Sequence, residues 1–172
     1  MSRTSILKDR RRMVFLILSI LCMATIFMFS SRDGKQSSRD SGKVDTAVTR
    51  IQKKKISKMT RKQKAAYVEK VDLVVRKSAH VAEYMVLAQL VFGAFYLESR
   101  KKYINFLIPF LIASFYSVTD EAHQYFVSER NGTPTDVLID SAGALAGVLI
   151  VFAVVLAVKH MRAKKKEQAL QS

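Results

Sequence analysis

The chain has 172 residues, enough for one domain, and combines 49% hydrophobic residues with a formal charge of +15. A quarter of its residues are charged (25%), a mixture that argues against a water-soluble globule and is typical of apolar membrane spans joined by basic loops. Nucleic acid is a common partner of basic proteins, but the long apolar runs favour anionic lipid or an anionic wall polymer instead. The single cysteine, Cys22, excludes a disulfide within the chain.

The first predicted element is a transmembrane helix over residues 13–30, preceded by a basic, polar segment at residues 1–12. This order suits either a signal peptide or an uncleaved anchor. Because no A-x-A pattern precedes the polar break at Ser30 and Ser31, we predict an anchor helix that remains in the protein.

Residues 31–77 form a long polar connection between the first and second spans. Its beginning is rich in Ser, Gly and charge, which predicts a loop. From about Asp45 onward, apolar residues recur at helical spacing among Lys and Arg. This pattern is typical of basic amphipathic helices that lie on a membrane surface, although a solvated run of charge has the same composition.

The second predicted span covers residues 78–97, and its polar residues are confined to its first two turns. At 100° per residue these side chains fall within an arc of about 120°. They are Arg76, Lys77, His80, Glu83 and Tyr84.

The third and fourth predicted spans cover residues 103–124 and 137–158. The third has its polar stripe toward its C-terminal end, at Ser114, Ser117, Asp120, Glu121 and Gln124. The fourth begins with a narrow stripe of Asp136, Asp140, Gly143 and Gly147, in which the glycines allow close approach of another helix.

The alternation of spans places these polar ends at one membrane face. Helix one contributes its Ser30 and Ser31 end to the same face. The sequence therefore predicts an all-α integral membrane protein, a bundle of four transmembrane helices. Residues 78–158 form its core of helices two to four, and one polar site lies at their common end. The density of Lys and Arg next to the spans predicts that both termini, including the basic tail at residues 159–172, are cytoplasmic and that the site faces outward.

Four motifs carry a family resemblance. They are FSS at 29–31, RKSAHVAEY at 76–84, TDEAHQYFVSER at 119–130 and DVLIDSAGALAG at 136–147. In order and spacing they resemble the VanZ-like family, named for a teicoplanin-resistance protein. The resemblance implies a multi-pass cell-envelope protein that affects susceptibility to teicoplanin-type glycopeptides, and it implies no settled reaction.

The residues leave three roles open. An enzyme acting on a lipid-linked envelope substrate has candidate catalytic groups in which Asp120 or Glu121 is the base and a histidine carries the proton. A binding module would hold a membrane lipid or a lipid-linked cell-wall precursor. A structural network would only pin the helices together. The candidate catalytic residues are His80, Glu83, Asp120, Glu121 and Asp140, and the candidate binding residues are Arg76, Lys77, Tyr84, Gln124, Arg130 and Asp136.

A divalent ion is a further possibility, since several of these side chains are acceptable ligands. Those side chains are His80, Glu83, Glu121, His123 and Asp140. No H-E-x-x-H motif or similar local spacing supports such a site, so we assign no metal ligands and leave the cofactor open.

Overall fold

A computed structural model describes residues 3–31, 56–57, 59–127 and 133–171, and throughout this part of the chain the regular secondary structure is helical. Four long helices follow one another: α1 (Arg3–Ser30), α2 (Arg61–Phe95), α3 (Lys102–Gln124) and α4 (Pro134–Gln171). Each is long and apolar enough to cross a membrane, since a span needs about 20 residues. The predicted all-α, four-span architecture is confirmed.

Helix α2 is longer than the predicted second span, because residues 61–77 of the predicted connection belong to the same unbroken helix. Its 35 residues begin at a capping box, in which the side chains of Thr60 and Gln63 each accept from the other's backbone N–H. No proline interrupts the helix after that start, and its only glycine, Gly93, comes near the end. The earlier part of the predicted amphipathic connection lies outside the described residues.

Helix α4 also exceeds its predicted span and includes the basic tail. It starts at Pro134, the position where a helix tolerates proline best. It then runs for 38 residues to Gln171. The tail is rich in Ala, Lys, Glu and Gln, which are good helix formers, so the helix continues beyond the apolar run as an exposed extension.

Helix α2 lies at the centre of the bundle and packs against α1, α3 and α4. Its contact with α4 is very close at two glycines. A Cβ placed on Gly143 would lie 2.5 Å from the carbonyl oxygen of Val81, and one on Gly147 would collide with the carbonyl oxygen of Met85. The predicted role of these glycines in close helix approach is therefore confirmed.

The outward faces of the helices are apolar. Large side chains with more than half of their surface exposed include Ile20, Leu21, Leu111 and Val154. In water such a surface would be unfavourable, whereas in a bilayer it contacts lipid tails. Most of the buried polar residues of the spans collect inside the bundle, at the end where α1 and α3 finish.

Candidate functional site

Three buried side chains, Ser30 of α1 and Asp120 and Gln124 of α3, form a hydrogen-bonded group around the carboxylate of Asp120. Ser30 donates from Oγ to Asp120 Oδ2 at 2.8 Å. Gln124 Nε2 donates to the same carboxylate oxygen at 3.1 Å and to Ser30 Oγ at 3.3 Å. None of the three is more than 7% exposed. A carboxyl group can be buried here because both side chains donate to it.

A second buried group joins α2, α3 and α4. Ser117 Oγ donates to Asp140 Oδ2 at 3.0 Å, and His80 Nδ1 lies 3.9 Å from Asp140 Oδ1. Asp140 is 1% exposed, while 21% of the His80 side chain is exposed. The imidazole therefore lies between the buried acid and the edge of the site, beyond direct hydrogen-bonding distance of the carboxylate in this geometry.

Tyr84 lies between these two groups and is completely buried (0% exposed). Its ring is 6.5 Å from that of His80 and 6.3 Å from that of Tyr116. The Tyr84 hydroxyl lies toward Asp120 but completes no hydrogen bond of good geometry, and Asp120 Oδ1 is likewise without a hydrogen bond among the described residues. The hydroxyl of Tyr84 and the carboxylate of Asp120 therefore face one another in the centre of the site.

The edge of the site is built where α4 begins. Lys77 Nζ of α2 pairs with Asp136 Oδ1 at 2.5 Å. Thr133 donates from Oγ1 to Asp136 Oδ2 at 3.0 Å, and its backbone N–H donates to Glu121 Oε2 at 3.1 Å. These carboxylates lie near the positive end of the α4 helix dipole, which stabilises them. The ammonium group of Lys77 is partly exposed and is the cation that the structure places at this edge.

His123 joins the end of α1 to the end of α3 next to the buried group. Its Nε2 is 3.1 Å from Ser31 Oγ, and its ring centroid is 4.5 Å from that of Phe27. Three helix pairs, α1 with α3, α2 with α4 and α3 with α4, are therefore joined by polar contacts at the same end of the bundle.

Most of the residues proposed from the sequence come together at this end. The described contacts unite Lys77, His80, Tyr84, Asp120, Glu121, Gln124, Asp136 and Asp140. Glu83 is half-buried and lies within electrostatic range of Cys22 on α1. Arg76 forms an ion pair with Asp72 on its own helix at 3.4 Å. Arg130 lies outside the described residues.

Three of the contributors were not among the candidate catalytic and binding residues, although two of them, Ser30 and Ser117, had been predicted to lie at the polar face. Ser30 donates to the buried Asp120 and Ser117 to the buried Asp140, and Thr133 joins Glu121 to Asp136. Ser117 could have been found, because it lies on the polar stripe of α3 one turn before Glu121. Thr133 carried the usual signal of a helix cap, being a hydroxyl residue immediately before Pro134.

The part of the chain that the structure describes contains no set of side chains arranged to bind a divalent ion. There, no three side chains of His, Cys, Asp or Glu come close enough together to hold a metal. The site instead combines buried carboxyl groups, a histidine at their edge and a lysine beside them.

The profile of the VanZ/LLP1 family matches residues 15–156. Neither a curated protein nor a solved structure shows a significant match to the chain. The family match extends from α1 into α4 and includes every residue of the polar site described above. The chain belongs to the VanZ/LLP1 family.

Proposed function

We propose that this protein is a cell-envelope membrane protein that lowers susceptibility to teicoplanin-type glycopeptides through its polar site. In this proposal the site faces outward from the cell membrane, and both termini are cytoplasmic. The observation that carries the proposal is the convergence of polar side chains from all four helices at one end of the bundle, within the segment that the family profile matches.

The proposed ligand is the head group of a membrane lipid or of a lipid-linked cell-wall precursor. Lys77 at the edge supplies a cation for a phosphate, and Tyr84 and Asp120 supply polar atoms deeper in the site. A ligand of this kind lies where a glycopeptide with a lipid tail meets the membrane. Occupation of the site would thus change what the antibiotic encounters there.

A membrane-embedded hydrolase or transferase acting on the same class of substrate is the second candidate. The pairing of His80 with the buried Asp140, which Ser117 holds by a hydrogen bond, favours it. A histidine oriented by a carboxylate is a common general base. In that case Asp140 would orient the imidazole, and His80 would take a proton from water or from an attacking hydroxyl group.

Expression in a teicoplanin-susceptible bacterium tests the proposal. We expect the wild-type protein to raise the inhibitory concentration of teicoplanin, and Lys77→Gln to abolish that rise at an unchanged membrane level of protein. Lys159→Gln is the matched control, because Lys159 pairs with Glu98 at the opposite end of the bundle at 3.0 Å. A wild-type protein without effect on teicoplanin susceptibility would contradict the proposed function.

Three further variants separate the mechanisms. An enzyme should lose function with His80→Ala and with Asp140→Asn while its level in the membrane stays the same. A binding site should tolerate Glu121→Gln better than Lys77→Gln, because the amide keeps an acceptor for the Thr133 N–H. A purely structural network predicts that every loss of function accompanies a loss of protein from the membrane.

A further inference from the structure

A cavity of about 320 Å³ lies between α1 and α2, at the end of the bundle opposite the polar site. Its walls are formed by Asp9, Arg12, Met13, Leu16, Ala94 and Phe95. Arg12 directly precedes the apolar run of α1, and Phe95 is the last residue of α2. The cavity is therefore at the level where a bilayer changes from hydrocarbon to head groups.

Two arginines converge on the end of α2 beside this cavity. Arg12 Nε donates to the carbonyl oxygen of Ala94 at 3.1 Å, and Arg100 Nη1 donates to that of Phe95 at 3.2 Å. Guanidinium groups are favourable at a helix C-terminus, where unpaired carbonyl groups carry partial negative charge. This contact explains the position of Arg12 but uses only one of its N–H groups. The others make no hydrogen bond with any residue that the structure describes.

We propose that this cavity binds an anionic phospholipid. The phosphodiester would accept hydrogen bonds from the free N–H groups of Arg12, with Arg100 beside it, and an acyl chain would lie along Met13, Leu16 and Phe95. Guanidinium groups bind phosphate oxygens in pairs, and basic pockets between membrane helices are a usual site for acidic lipids.

The charge around the cavity favours an acidic lipid over a zwitterionic one. Exposed basic residues flank both arginines in the chain. Arg10 and Arg11 precede Arg12, and Lys101 and Lys102 follow Arg100. Asp9 is the single acid in the cavity wall; it is exposed and forms no ion pair with Arg12. Water therefore screens its charge, and the local potential is positive.

Native mass spectrometry of the full-length protein in detergent tests this site with two lipids of equal chain length, phosphatidylglycerol and phosphatidylcholine. We expect the wild-type protein to retain phosphatidylglycerol preferentially. Arg12→Gln should lower that retention about tenfold, the usual effect of losing a charge-assisted hydrogen bond. Arg11→Gln is the matched control, since it removes the same charge from an exposed neighbour outside the cavity wall and should lower retention much less than Arg12→Gln.

Two more variants keep the test decisive if Arg12→Gln disturbs folding. Asp9→Asn should strengthen retention of phosphatidylglycerol by removing a repulsive charge. Leu16→Trp should weaken it by filling the cavity while every charge remains. Soluble glycerol phosphate, which has no acyl chain, should not compete with the lipid. Equal loss of retention in Arg11→Gln and Arg12→Gln, or equal retention of both lipids by the wild-type protein, would overturn the proposal.

Discussion

Ser30 and Asp120 are 90 positions apart in the chain, yet Ser30 Oγ donates a 2.8 Å hydrogen bond to Asp120 Oδ2 inside the bundle. Ser30 is the last residue of α1, and Asp120 is one turn from the end of α3. Helix α1 packs mainly on α2 and touches α3 over a smaller region. The bond therefore fixes the end of α1 against a helix that it otherwise contacts little.

We predict that Ser30→Ala destabilises the bundle by about 1–3 kcal/mol, the usual cost of leaving a buried polar group without its partner. Ser19→Ala is the matched control. Ser19 is also buried on α1, but it donates to the carbonyl oxygen of Phe15 on its own helix at 2.8 Å, and α1 keeps its backbone bonds without it. The free energy of unfolding of the Ser30→Ala and Ser19→Ala variants is measured in detergent micelles. Equal losses in the two variants would show that the bond to Asp120 has no special role.

The contact of α4 with α2 gives a second prediction. Gly147→Ala should destabilise the bundle by about 1–3 kcal/mol, because the new methyl group meets the backbone carbonyl of Met85, which cannot move without shifting α2. Gly93→Ala should cost less, because the atoms that its methyl group meets belong to the ring of Phe15, a side chain that can rotate. Thermal unfolding of both variants in detergent tests the order. A larger loss for Gly93→Ala would contradict the packing described here.

The Lys77–Asp136 pair gives a third prediction, through a double-mutant cycle with alanine at each position. Lys77 and Asp136 have side chains that are 37% and 25% exposed, so solvent weakens their attraction. We expect a coupling energy of about 0.5–1 kcal/mol. The Glu98–Lys159 pair is more exposed, at 72% and 44%, and should show no measurable coupling. Similar coupling in the two pairs would contradict a special role for the edge of the polar site.

The sequence was sufficient to predict the four spans and the end of the bundle at which their polar faces meet, but not how far α2 and α4 extend beyond their spans. The reason is that helical periodicity places Ser117, Asp120 and Gln124 on one face, and alternation of spans brings that face level with Asp140. Which side chains then bind each other depends on the rotation and tilt of neighbouring helices. Sequence periodicity does not determine this rotation and tilt. The hydrogen bonds from Ser30 to Asp120 and from Ser117 to Asp140 could therefore be identified only in the three-dimensional structure.

Arg76 has an acidic partner on its own helix that was not predicted from the sequence. Arg76 lies on the polar arc of α2 that also contains Lys77, and the sequence suggested that it binds substrate. In the structure Arg76 pairs with Asp72, one turn earlier on the same helix, and its role in substrate binding stays a prediction. An i, i+4 partner is always within reach of a helical arginine, whereas an acid on another helix is reached only if packing brings it close.

Cysteine labelling tests the central claim, that the polar ends of the helices form one outward-facing site. Cys22 is replaced by alanine, and single cysteines are introduced as Ser31→Cys at the end of α1, Tyr125→Cys after α3 and Ser99→Cys in the turn at the opposite end, all at exposed positions. We predict that a membrane-impermeant maleimide added to intact cells labels Ser31→Cys and Tyr125→Cys and that Ser99→Cys is labelled only after the membrane is opened. Labelling of Ser31→Cys and Tyr125→Cys from different sides would contradict the shared site, and labelling of Ser99→Cys alone on intact cells would contradict its outward orientation.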